Sequence, residues 1–389
     1  MLKRLKSVLG EFFRQADLVL LGLCCAATLF GIVLIFSATQ FKDSNRYVIV
    51  QSAALLLGIC AYIACSYVDL EILMKKWKWV LVFNIGFILL LLTPFGASEG
   101  GNRAWLRFPY IPIGIGPAEF VKITFVLLLA WQLNWLREEK RDLQSFHAAA
   151  SVAGHAIGLC GFYYLISSDM GNGLVFLFIF VCMAFVAGFA LRWFVLLFGA
   201  GTAVVVAAWK WDLLPSHMKD RFIVLFDHSF DPLGTGWHQT RSLLTLGSGG
   251  VFGQGYLSGT QTQSSYSTSL PARWTDFIFS VCGEELGMMG CIVVILILTA
   301  IIARVLLVAK NAQTSFHCYV CVGMAAMLIF QMIINIGMCL FVMPVIGSTL
   351  PFFSYGGSSI VTIYMAMGVV SGIKMRSPVM RRLGKPIRN

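Results

Sequence analysis

Three acids gather in the stretch from Trp237 to Gly287, which reads WHQTRSLLTLGSGGVFGQGYLSGTQTQSSYSTSLPARWTDFIFSVCGEELG. Asp276 follows Thr275 where an apolar run begins, and Glu284 and Glu285 come about two helical turns later. The pattern predicts that Thr275 caps a helix and that Asp276 occupies its first turn, where the helix dipole favours a carboxylate. As a plain cap this pair needs no function. At about 100° and 1.5 Å per residue, Glu284 lies roughly 12 Å below Asp276 and about 80° around, while Glu285 points nearly opposite. Glu284 is therefore expected to share the cavity of Asp276. Acids this close to a membrane span are rare without a use. Asp276 sits where the polar head of a lipid would be, and a carboxylate there can act as a general base.

Other stretches offer supporting chemistry, each with a plainer reading beside it. Glu119 and Lys122 stand at i, i+3 in PAEFVKI, either as a structural ion pair or as part of a site. Trp105, between Arg103 and Arg107 in segment 96–116, reads as an interfacial anchor or a site residue. Asp169 in SSDMGNG suits a helix cap. MPVIGSTLPFFSYGGSS (343–359) breaks helix at membrane depth, which is tolerated only against protein or a water-filled cavity, and so predicts a second wall. GSGGVFGQGYLSG lacks the Gly-Lys-Ser/Thr of a phosphate loop and the strand before it. Its glycines instead let backbone amides approach a ligand or a neighbouring helix. The six histidines are scattered with no ligand spacing among them, so no metal site is expected.

The elements that must position these residues are membrane spans. The chain has 389 residues, 58% hydrophobic and 12% charged, with a mean hydropathy of +0.81, which no soluble globule of ordinary composition shows. Its 37 glycines suit close helix packing in lipid. Ten spans are expected, at about 18–38, 47–66, 79–95, 117–136, 149–166, 171–189, 193–209, 276–304, 317–342 and 355–373. The first apolar run is too long for the core of a signal peptide and is expected to be retained. With the N-terminus inside, 19 of the 29 basic residues fall in inner segments, so both termini are expected to be cytoplasmic. That bias explains most of the +11 charge without nucleic acid. The expected fold is an all-α integral membrane protein, one polytopic domain over 1–389 with about ten transmembrane helices. A long extracytoplasmic loop, 210–275, separates the seventh and eighth and is long enough to carry short helices of its own.

Three motifs in register on this pattern resemble the SEDS family (shape, elongation, division and sporulation proteins). They are DPLGTGWHQTRSLLTLGSGGVFGQG (231–255), LPARWTDFIFSVCGEELG (270–287) and LPFFSYGGSS (350–359). GTQTQ (259–263) resembles the RodA elongation branch more than the FtsW division branch. The chain departs from the family where Ala272 and Trp274 replace its usual Glu and His, and where Ser167-Ser168 replaces Gln-Pro.

The resemblance implies a peptidoglycan glycosyltransferase of the bacterial cytoplasmic membrane. It would polymerise lipid II, an undecaprenyl-diphosphate-linked disaccharide-peptide, with inversion, at the outer face. A lipid II flippase is the alternative. The family's essential aspartate falls on Asp276 and its downstream glutamate on Glu284; Glu119, Lys122 and Trp105 match further motif positions. Arg103, Arg241 and Ser354 are supporting candidates. The leaving diphosphate asks for a cation, and Lys122, Arg103, Arg221, Arg241 and Arg273 stay unranked by sequence. No cofactor is expected to be obligatory, although a divalent cation could serve. Expected partners are the nascent glycan strand, a class B penicillin-binding protein and membrane proteins of the elongation machinery.

Overall fold

The computed structural model describes residues 12–42, 45–99, 102–108, 114–139, 143–213, 216–228, 230–231, 234–266 and 269–377. Lys3, Arg4, Lys6, Lys140 and Arg141, and the basic residues beyond 377, lie outside the described residues, as do Ser267 and Thr268 of the long loop. Nine described helices are long and apolar enough to cross a membrane, and an apolar tenth, Trp77–Leu92, is shorter. We label the helices α1 (Leu18–Thr39), α2 (Arg46–Tyr67), α3 (Trp77–Leu89), α4 (Pro117–Glu138), α5 (Phe146–Ser167), α6 (Met170–Ala187) and α7 (Leu191–Lys210). Two short ones follow, α8 (Ser216–Phe226) and α9 (Trp237–Gly249), then α10 (Ile278–Lys310), α11 (Ser315–Cys339) and α12 (Gly357–Arg376). The ten expected spans are all present. The third reaches only roughly 24 Å, short of a hydrocarbon core of about 30 Å. The long loop carries α8 and α9 as its own helices, as its length suggested.

Small residues bring spans into backbone contact. A Cβ added at Gly368 of α12 would strike the Tyr62 carbonyl of α2, and one at Gly372 would lie 2.6 Å from the Ser66 carbonyl oxygen. Such close approach favours dispersion between helices whose apolar surface gains nothing by leaving lipid. One buried ion cluster joins the far ends of three spans. The Asp17 carboxylate, which caps α1, lies 2.9 Å from Arg304 of α10 and 3.3 Å from Lys374 of α12. A fully buried carboxylate is tolerable there because it is doubly paired.

Two features that the sequence did not announce shape the face bearing the loops. Strands β1 (Gly96–Glu99) and β2 (Asn102–Leu106) form an antiparallel hairpin that pairs Ala97 with Trp105. The second feature is a break in α10 at Gly287, whose φ of 69° belongs to the left-handed region that glycine tolerates best. The glycine-rich loop splints this break. The Met288 N–H donates to the Gly250 carbonyl (2.9 Å) and the Met289 N–H to that of Val251 (3.2 Å). In return the Gln254 and Gly255 amides donate to the carbonyls of Glu284 (2.8 Å) and Glu285 (3.1 Å). Backbone groups freed at membrane depth are thus satisfied within the protein. Of the two roles open to these glycines, the one occupied is approach to a neighbouring helix.

Candidate active site

A cavity of about 440 Å³ lies at the face carrying the hairpin and the long loop. Trp105 of β2, Glu119 in the first turn of α4 and Asp169 at the cap of α6 line one part of it. Arg221 of α8, His238 of α9 and Gln331 of α11 line another. Segments 345–349 and 355–359 complete the wall, so the helix-breaking stretch does form the second wall expected of it. Asp276 opens onto this space together with Thr275 and Ala272.

The turn presenting Asp276 is held from behind by main-chain hydrogen bonds. α10 begins at Ile278, so Thr275 is no N-cap and Asp276 precedes the helix instead of sitting in its first turn. The Thr275 hydroxyl donates to the Ala272 carbonyl (3.2 Å), and Ala272 adopts a left-handed φ of 44°. Asn335 of α11 donates through Nδ2 to the carbonyls of both Asp276 (2.8 Å) and Ser348 (2.7 Å). Ser354 donates to the Thr275 carbonyl (2.7 Å), and the Tyr355 N–H donates to that of Trp274 (2.8 Å). The carbonyls of residues 274–276 all carry partners, whereas the Asp276 carboxylate accepts no hydrogen bond from any described residue. Burial alone pushes its pKa up to about 6, with no neighbouring charge contributing. The wall and, next, Arg221 hold His238 below the ordinary histidine value. No group of three or more His, Cys, Asp or Glu residues able to hold a metal ion occurs among the described residues.

Comparison with known proteins identifies the family. Residues 15–378 match the family described as "Cell cycle protein", whose label joins FtsW, RodA and SpoVE. The chain belongs to this family. It is 31% identical over 374 residues to a probable peptidoglycan glycosyltransferase FtsW of Geobacter metallireducens, covering 92% of this chain and 95% of that one. It is 31% identical over 308 residues to peptidoglycan glycosyltransferase MrdB of Escherichia coli, covering 77% and 78% of the two chains. A solved chain from a peptidoglycan synthase complex, described as coordinating polymerization and crosslinking, superposes with a TM-score of 0.75. That match is 28% identical and covers 92% of this chain and 97% of the other. The SEDS protein described here is accordingly a multi-pass membrane protein with the SEDS fold.

Several residues singled out in this SEDS sequence lie elsewhere than expected. Glu284 does not share the cavity of Asp276. Its carboxylate is fully buried and accepts from the Gln261 and Thr262 amides (2.8 Å each) and the Thr260 and Thr262 hydroxyls (3.1 and 2.6 Å). Glu285, expected on the opposite face, meets the same loop, accepting from Gln263 (2.9 Å) and also from Ser37 (2.6 Å). Both expectations counted angles along one continuous helix that included Asp276, and the structure has none.

The cations also separate. Lys122 is fully buried and ion-paired with Glu119 at 2.8 Å, behind the lining. Arg103 donates to the Thr93 carbonyl and braces the hairpin, while Arg241 stacks over the Trp237 ring at 4.2 Å. Arg273 is buried beneath the GTQTQ loop, donating to the carbonyls of Gln261 (3.1 Å) and Ser264 (2.9 Å) and to Ser269 Oγ (2.7 Å). Ser354 backs the Asp276 turn without lining the cavity. Asp169 does both jobs: it caps α6, accepts from Asn172 Nδ2 (2.8 Å) and the Tyr163 hydroxyl (3.2 Å), and lines the cavity.

Asn335 and Gln51 were missed. Gln51 of α2 donates to the Ser354 carbonyl (3.1 Å) and accepts from the Gly356 amide (3.1 Å), fixing the segment that backs Thr275. Their signal was available, because an amide inside an apolar span is expensive unless it has work to do.

Proposed function

We propose that this protein polymerises lipid II into glycan strands at the outer face of the cytoplasmic membrane, with Asp276 as general base. The carrying observation is a carboxylate with no hydrogen-bond donor among the described residues, at the wall of a cavity, with its pKa raised to about 6. A base in that range is largely ionised at neutral pH yet basic enough to accept a proton in a transition state. Asp276 takes the proton of the acceptor sugar's 4-hydroxyl. The resulting oxygen forms a bond to the donor's anomeric carbon, the bond from that carbon to the diphosphate breaks, and inversion follows. Relatives at 31% identity bear the name peptidoglycan glycosyltransferase, which supports the reaction class.

Duty in cell elongation is supported by the RodA-like GTQTQ motif, which Glu284 grips. The relatives' names include both FtsW and MrdB, so depletion should decide: rounded cells support elongation and filaments oppose it. A class B penicillin-binding protein is the proposed partner, in keeping with a fold neighbour from a synthase complex. The flippase alternative gains nothing from the geometry, since the cavity's titratable groups gather at one membrane face. Purified protein given lipid II should build glycan ladders, and Asp276→Asn should build none while remaining folded. Full ladders from that variant would remove Asp276 from the mechanism.

A further inference from the structure

Five cations were candidates to meet the leaving diphosphate, and of these only Arg221 lines the cavity. Lys122 is neutralised by Glu119, Arg103 is spent on the Thr93 carbonyl, Arg241 lies over Trp237, and Arg273 is enclosed by carbonyl acceptors. Arg221 lines the cavity, is half-buried, and makes no hydrogen bond or ion pair with any described residue. Nor is it matched with Asp276, on which no neighbouring charge acts appreciably.

The cavity is otherwise acidic. Glu119, Asp169 and Asp276 line it, but Glu119 has Lys122, and Asp169 has Asn172 and Tyr163. A guanidinium with no counter-ion among the described residues offers an anion, in such a place, two convergent N–H edges, a geometry that suits phosphate oxygens. The position is also right. His238, which feels the charge of Arg221, packs its ring 6.1 Å from that of Phe277, the residue after Asp276. Base and cation thus flank one stretch of wall while staying apart.

Resting on the polymerase reading, we propose that Arg221 receives the diphosphate of the lipid-linked donor and stabilises the charge that develops as the anomeric carbon–oxygen bond breaks. The electron pair of that bond goes to the diphosphate oxygen, which the guanidinium faces, while Asp276 holds the proton from the acceptor. Donors placed where charge develops act in the transition state more than in the ground state.

The test measures binding as well as turnover. Purified wild type, Arg221→Gln, Arg221→Lys and Asp276→Asn are titrated with undecaprenyl diphosphate, undecaprenyl phosphate, undecaprenol and inorganic diphosphate. Arg221→Gln should weaken undecaprenyl diphosphate at least tenfold, leave undecaprenol unchanged, and melt at the wild-type temperature. Arg221→Lys should fall between, and Asp276→Asn should bind undecaprenyl diphosphate no more weakly than wild type. Competition by inorganic diphosphate would show that the charge alone is recognised; its failure would show that the lipid must be attached, and Arg221 stands in either case. Wild-type affinity for undecaprenyl diphosphate in Arg221→Gln overturns the proposal. Ladders missing from the wild type would sink the polymerase reading instead and leave the binding comparison to judge Arg221.

Discussion

Asp276 and Glu284 are eight residues apart in sequence and live in opposite regimes. The Glu284 carboxylate takes four donors from residues 260–262 and is sealed from solvent. That of Asp276 takes none and opens on a cavity. Two arginines repeat the contrast: Arg273 is spent on carbonyls under the same loop, and Arg221 lines the cavity without a hydrogen bond or ion pair to any described residue. A buried charge whose hydrogen bonds are complete is held in one geometry and contributes to the fold. One left without partners destabilises the resting protein and is ready to act on a ligand. The loop region is the lock, and the cavity is the proposed working surface.

The largest effect expected to test this contrast is on turnover. Asp276→Asn should lower ladder formation by about 10²–10⁴-fold or more. In wild type, the acid limb of the kcat/KM profile should fall tenfold per pH unit below about 6. Glu284→Gln should act on the lock instead. An amide N–H₂ set against the Thr262 donors leaves buried groups unpaired and should cost about 3 kcal/mol of stability, read as a lowered Tm.

Stability should also respond to pH through Asp276. The raised pKa of Asp276 means that its ionised form is disfavoured in the folded chain relative to the unfolded one, whose ordinary value is 3.8. Its contribution therefore falls as pH rises from below 4 through 6. Asp276→Asn should consequently melt like wild type at pH 3.5 and above it at pH 7.5, by at most about 3 kcal/mol. A variant that is less stable at neutral pH would show that the carboxylate has a partner after all.

Smaller effects should follow at the margins of the two regions. Gly287→Ala places a Cβ on a left-handed residue against Val251, and should cost about 1–2 kcal/mol and loosen the splinted break. Arg241→Ala removes a cation–π contact outside the cavity and should cost about 1 kcal/mol or less, with ladder formation unchanged.

Much of the architecture was legible in the chain. Runs of apolar residues must bury their backbone polar groups in helices, so the spans followed from length and hydropathy alone. Pro344, Gly347 and Pro351 cannot continue a helix, which is why segment 343–359 was readable as a cavity wall. The hairpin at 96–106 was not legible, because its register rests on pairing between strands and not on the hydropathy of either one. Asn335 and Gln51 carried a signal of the right kind, an amide in an apolar run, but nothing in sequence says which carbonyls such an amide will find.

What the sequence by itself determined is the membrane class, the order of the spans and the motif bearing Asp276. These depend on local composition and on short stretches of contiguous residues. Only the tertiary structure decided which charges are spent. Glu284 looked like the companion of Asp276 while the two were counted along one helix; the helix starts only at Ile278, and a loop 22–24 residues upstream of Glu284 gave it four other partners. Arg221 and Arg273 are equivalent as letters, and only the three-dimensional placement of carbonyls around one of them leaves the other free for an anion.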